Sequence, residues 1–197
     1  MAERPPMPPA GASIDVTDVR ALRALAHPLR GKLLAQLRTY GPSTASKLAE
    51  QFGESSGSTS YHLRQLAAYG FVEDLADEGN GRDRWWRARH RSTHVDTADF
   101  LDDPAGREAV DELLARQLGQ QQRLLAGFVA EQSALDEEWR TAASMNDWAL
   151  RLSPGAAREL AEELNAVVAR FRDTREEPDQ PLVSVLLDVF PVREYPL

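Results

Sequence analysis

The sequence predicts a mainly α fold with small β parts, an α+β arrangement, and three observations predict it. Apolar residues recur at helical spacing through much of the 197-residue chain. Two short helices meet across Gly53, and the second of them is filled with small hydroxyl residues. Two β-prone runs then flank a charged, glycine-containing tip. Helix, tight turn, helix and hairpin describe a winged helix-turn-helix, followed by a long helix and a small strand-helix-strand appendage. The expected divisions are a disordered, Pro-rich lead-in over 1–17, the winged helix-turn-helix over 18–98, and a helical dimerisation and α+β region over 99–197.

Taken in order, the first residues have neither the apolar core nor the basic start of a secretory leader, and their prolines suit a lead-in without packed structure. From Thr44 to Gly53 the chain reads as a short helix capped by a hydroxyl and stopped by glycine, with Leu48, Ala49 and Phe52 facing inward. The next helix begins at Ser55, and Thr59, Leu63 and Leu66 share its inward stripe. A helix that only had to fold would carry Glu, Lys and Ala outward, because Ser, Thr and Gly are poorer helix formers. Here the outward positions hold Ser56, Ser58, Ser60, Tyr61 and Arg64. Short hydroxyls let a backbone come close to a DNA groove, while Arg, Tyr and Ser contact phosphates and base edges. Residues 71–76 and 84–89 are the two hairpin strands around a tip at 77–83.

The expected contacts with double-stranded DNA follow from that layout. Ser56, Ser58, Ser60, Tyr61, His62 and Arg64 enter the major groove, and Arg82 and Arg84 on the wing, with Lys47 on the preceding helix, grip the backbone. Net charge supports the arrangement once it is divided along the chain. The total is -8, but residues 18–94 hold 12 Lys plus Arg against 8 Asp plus Glu, whereas residues 95–197 hold 10 against 21. A positive amino-terminal half meets phosphates, and an acidic carboxyl-terminal half faces away from them.

Several stretches together resemble a known family, the ArsR-like winged-helix repressors of bacteria. They are the run from Leu22 to Arg30 leading into Leu33, Leu34 and Leu37, Leu48-Ala49 followed by Gly53, the run from Ser60 to Leu66 before Gly70-Phe71-Val72, and the wing segment from Gly81 to Trp86. The resemblance covers residues 18–94, and it departs from the family pattern at Glu54, where an aliphatic residue is usual, and at Thr59, where Val is usual. It implies a homodimeric repressor. Soft-metal sensing in such proteins uses cysteine thiolates, and this chain has no cysteine. His27, His62, His90 and His94 then read as structural histidines, and neither a metal nor another cofactor is expected.

The carboxyl-terminal half opens after Pro104 with a long helix over 106–132, its stripe running through Val110, Leu114, Leu118, Gln121, Leu125 and Phe128. In a winged-helix protein such a helix commonly pairs with its two-fold mate, spacing two recognition helices about 34–36 Å apart on a palindromic operator; the alternative is that the stripe packs on its own subunit. Residues 145–152 alternate like a strand with Trp148, Leu150 and Leu152 on one face, and Ser153-Pro154 starts a helix with Leu160, Leu164, Val167 and Phe171 inward. Residues 182–190, apolar on both faces, read as a buried strand. No phosphate loop, nucleophile motif or zincin signature points to an enzyme. No apolar run approaches the ~20 residues that cross a bilayer, and with no cysteine the chain reads as cytoplasmic. Two alternatives stand beside the repressor: a winged-helix protein-interaction adaptor, and a switch gated by an unidentified small-molecule effector in an apolar pocket lined by Trp139 and Trp148.

Overall fold

The structure, a computed structural model, describes residues 13–75, 84–172 and 180–193. They divide into two compact units, Met1–Leu118 and Gly119–Leu197, and the boundary falls inside a helix.

The first unit begins with strand β1 (Ser13–Asp15), followed by α1 (Val19–Ala26) and α2 (Pro28–Tyr40). Asp18 caps α1 by accepting from the Arg20 amide at 3.0 Å, and Pro28 occupies the first turn of α2, where its missing N–H is not needed. At the corner between them Arg30 Nε donates to the Ala24 carbonyl at 2.7 Å, satisfying an oxygen that the end of α1 leaves open. Strand β2 (Ser43–Thr44) leads into α3 (Ala45–Phe52), then come α4 (Ser56–Ala68), β3 (Val72–Leu75) and β4 (Trp85–Ala88). The sheet order is β2-β4-β3, antiparallel throughout, with Glu73 opposite Arg87 and Leu75 opposite Trp85. After it come β5 (Ser92–His94), a 3-10 turn (Thr97–Phe100) and α5 (Pro104–Glu131).

One apolar cluster holds this unit together. Leu22, Leu33, Leu37, Leu48, Leu63, Leu66 and Phe71 are fully enclosed, joined by Val72, Trp86, Phe100 and the start of α5 through Ala109, Val110 and Leu113. Each such side chain contributes ~1.5–3 kcal/mol relative to exposure. Gly106 lets α5 start against the preceding turn, because a Cβ there would collide with the Phe100 carbonyl. Arg38 ties α2 to the sheet side: Nε donates to the His90 carbonyl at 3.0 Å and an Nη to Thr93 Oγ1 at 2.6 Å. Burial pushes its guanidinium down to about 10, still charged at neutral pH.

Residues 13–17 differ from the expected lead-in. β1 lies parallel to β5 with Ser13 opposite Ser92 and Asp15 opposite His94, the Val16 amide extends the ladder to the His94 carbonyl at 3.0 Å, and Val16 is buried in the core. The partner strand, distant in sequence, is what orders so short a segment.

In the second unit a 3-10 turn (Gln132–Ala134), α6 (Glu137–Ala142) and α7 (Pro154–Arg172) follow the end of α5. Asp136 caps α6, accepting from the Trp139 amide at 2.8 Å, and Ser153 caps α7, accepting from the Ala156 amide at 3.2 Å. The mainly α class with small β parts holds. The appendage differs: α7 is present, but residues 145–152 and 182–190 form no strand. Trp148 is 75% exposed, and Leu150, Leu182 and Val183 are also open to solvent. Alternation and β propensity describe what a segment can do in a sheet, but a strand exists only when a neighbour accepts its backbone hydrogen bonds. The inward stripe expected on α7 is likewise half-formed. Leu160 and Leu164 are half-buried while Val167 and Phe171 are exposed, and on α5 Val110 is buried while Leu114, Leu118 and Leu125 are exposed.

Candidate nucleic-acid interface

The site is built on the corner between α3 and α4. Thr44 Oγ1 accepts from the Lys47 amide at 3.3 Å and so caps α3, which Gly53 ends in the left-handed region at φ 67° and ψ 32°. The Glu54 amide donates to the Ala49 carbonyl at 2.9 Å, and Glu54 is exposed, so the corner leaves its carboxylate in water. Ser55 then caps α4 by accepting from the Ser58 amide at 3.1 Å. Thr59, Leu63 and Leu66 are wholly buried, as their spacing predicts. Those three fix the rotation of α4, and with it every outward side chain.

The expected contact residues divide by their surroundings. Ser56, Tyr61 and Arg64 are exposed, and Ser58 and Ser60 are half-buried on the flanks of the helix. His62 is turned differently: its ring lies 4.5 Å from that of His27 at the start of α2 and meets Tyr61 edge-on at 5.2 Å. Its Nδ1 is buried without a hydrogen-bond partner among the described residues, as is that of His27. Burial holds both imidazoles below the usual histidine value, with the Arg30 guanidinium adding in the same direction and Glu54 opposing it. The two rings meet where α4 approaches the α1–α2 corner, with His62 half-buried there.

On α3, Lys47 is exposed and its Nζ stands 5.0 Å from the Trp85 ring centre, a cation–π contact that joins α3 to β4. On the hairpin, Arg84 is exposed but pairs with Asp74 at 3.0 Å, while Arg87 pairs with Glu73 at 2.7 Å. The stem of the wing thus partly neutralises its own cations. Direct register opposition of Glu73 and Arg87 was the signal for the second pair. Arg82 and the tip at 77–83 lie outside the described residues.

Sequence reasoning missed Gly57. It is exposed, has no heavy atom within 4 Å of the place a Cβ would take, and falls on the outward stripe with Tyr61 and Arg64. A glycine in the first turns of a helix costs about 1 kcal/mol relative to Ala. That penalty was the available signal, and with no described residue crowding the position there is room for another molecule to approach the backbone.

Among the described residues no three His, Asp or Glu side chains gather as a metal-binding group. No helix of these residues is long and apolar enough to cross a membrane. The second unit has an open groove of about 580 Å³ lined by Phe128, Val129, Leu135, Arg140 and Met145 among others, and neither Trp139 nor Trp148 is part of its lining.

Solved structures give three comparisons. One is described as a possible transcriptional regulator for arsenical resistance, 27% identical over 65% of this chain and 98% of its own, with a TM-score of 0.31. ZitR of Lactococcus lactis is 13% identical over 74% and 83% of the two chains with a TM-score of 0.33. The transcriptional regulator Tm0710 of Thermotoga maritima is 13% identical over 81% and 90%, with a TM-score of 0.31. No curated protein sequence matches this chain. Residues 25–74, which run from the end of α1 through the Gly53 corner to β3, match the family model described as a helix-turn-helix domain.

Proposed function

We propose that this chain is a DNA-binding transcriptional regulator, acting as a homodimeric repressor that reads a palindromic operator through α4. The observation that carries the reading is the pose of α4. Its buried face, Thr59, Leu63 and Leu66, is locked, and its open face presents Ser56, Gly57, Tyr61 and Arg64. A small backbone profile beside an Arg and a Tyr suits a helix lying in a major groove, where Arg reads guanine edges and Tyr and Ser meet phosphates. Lys47 and Arg84 stand ready for the backbone, Arg84 by exchanging Asp74 for a phosphate. Arg84 is 62% exposed but Asp74 only 28%, so the exchange leaves a half-buried carboxylate without its cation, a cost that the phosphate contact has to offset. The two-fold mate is supplied by the exposed Leu114 and Leu118 of α5.

Fluorescence anisotropy with duplexes from the chain's own promoter region, across a salt series, tests this reading. Arg64→Ala is expected to weaken operator binding about 5- to 150-fold, the ~1–3 kcal/mol of a base-reading contact, and to narrow the gap between operator and random duplex. Arg84→Ala is expected to weaken binding to all duplexes alike and to lower the salt slope by about one. Unchanged affinity in both variants overturns the assignment of these residues. Absence of binding to any duplex leaves the protein-interaction adaptor in its place.

A further inference from the structure

The second unit contains a segment composed as a strand and left without a ladder. Residues 182–190 read Leu-Val-Ser-Val-Leu-Leu-Asp-Val-Phe and run without a turn, a bend or a paired strand. Leu182, Val183, Val185, Leu187, Val189 and Phe190 are between 41% and 73% exposed. Their summed open area, on the order of 600 Å², matches the largest apolar patch a monomer normally carries and approaches the about 800 Å² each partner gives to a stable dimer. Natural chains shield β-prone edges with charge, proline or cover. This segment holds one charged residue, Asp188.

The pattern of the segment names what covers it. A stretch apolar on both faces belongs in a sheet that is covered above and below, and a strand inside a sheet has a neighbour on each edge. The chain's other β-patterned segment outside a strand, 145–152, carries Asn146, Asp147 and Arg151 and suits an edge, so it can supply one side only. The other side fits a second copy, because the segment is complementary to itself. In an antiparallel pair centred on Leu186, Leu182 faces Phe190, Val183 faces Val189, Val185 faces Leu187, and Ser184 faces Asp188. The two polar residues meet each other, and the serine hydroxyl donates to the carboxylate. Moving the centre to Val185 or Leu187 sets Asp188 against Leu182 or Leu186, and centres between residues mix the two faces. Asp188 already accepts from Gln121 Nε2 at 3.3 and 3.0 Å, which leaves its carboxylate further lone pairs for the serine.

We propose that residues 182–190 pair antiparallel with the same segment of a second copy, in the register centred on Leu186. The inference rests on the homodimeric reading above for the existence of the second copy, and it adds an interface that the exposed face of α5 does not contain.

The full chain has no cysteine, so single introduced thiols report the register directly. Opposed residues in an antiparallel pair have Cα atoms about 4.5–5.5 Å apart, within disulfide reach. Under copper-phenanthroline oxidation, Leu186→Cys is expected to give a covalent dimer on a non-reducing gel. Leu182→Cys and Phe190→Cys singly are expected to give none, since each thiol stands about 27 Å from its mate at ~3.4 Å per residue. The double variant Leu182→Cys/Phe190→Cys is expected to link. Sedimentation of the unaltered chain is run beside these. A dimer in which neither Leu186→Cys nor the double variant links overturns this pairing and leaves the homodimeric reading standing. Equal linking by all three single variants overturns the register, and a monomer overturns both readings.

Discussion

Thr59 brings a hydroxyl into a place that holds no partner for it. It is fully buried on the inner face of α4, and its Oγ1 has no hydrogen-bond partner among the described residues. A buried unsatisfied group costs about 1–3 kcal/mol, whereas a methyl of the same shape costs nothing there. Thr59→Val is therefore expected to stabilise the chain by about 1 kcal/mol, raising the melting temperature by about 2–4 °C in a thermal scan. The neighbouring histidines act in the other sense. Burial lowers His27, His62 and His90 from 6.5, so the unfolded chain binds protons more readily than the folded one. Their contribution to stability is complete above about 6.5 and is lost as the pH falls through their lowered folded values. The urea midpoint is expected to drop between pH 7.5 and 5, and His62→Gln is expected to flatten part of that drop. The inward positions Thr59, Leu63 and Leu66 were legible because one helix carries all of them. The His27–His62 stack was not, because it joins two elements whose approach no local pattern records.

Among the elements, the corner and the hairpin show the same contrast. Gly53 could be read as the end of α3 because only a residue without Cβ adopts a φ of 67° cheaply. Nothing lies within 4 Å of where its Cβ would go, so Gly53→Ala meets no clash and pays only the left-handed conformation. A loss of about 1 kcal/mol is expected, measured as a lower denaturation midpoint with an unchanged m-value. The hairpin strands were also legible, but the pairing of Arg84 with Asp74 depends on how one strand registers against the other. Residues 145–152 carry the right alternation and residues 182–190 the right composition, and both still form no strand. Periodicity is a property of a segment; a ladder is a property of two segments, and the second one has to be present.

For the whole molecule, the charge division is the broadest feature that composition alone reveals. Residues 18–94 carry a surplus of cations and residues 95–197 a deficit of 11, so phosphate attraction belongs to the half that holds α3 and α4. Where the first unit begins was not legible, since Ser13, Ile14 and Asp15 are too few to show a period and follow a proline-rich run. Their parallel partner Ser92–His94 lies just beyond the wing and before α5. Trimming the chain to Asp18 would thus do more than shorten a tail: it would strip the Val16 side chain from the core and leave β5 an unmated ribbon. Residues 13–16 are stitched to the stretch that hands the wing over to the long helix, so a change that disturbs this stitch would be felt there.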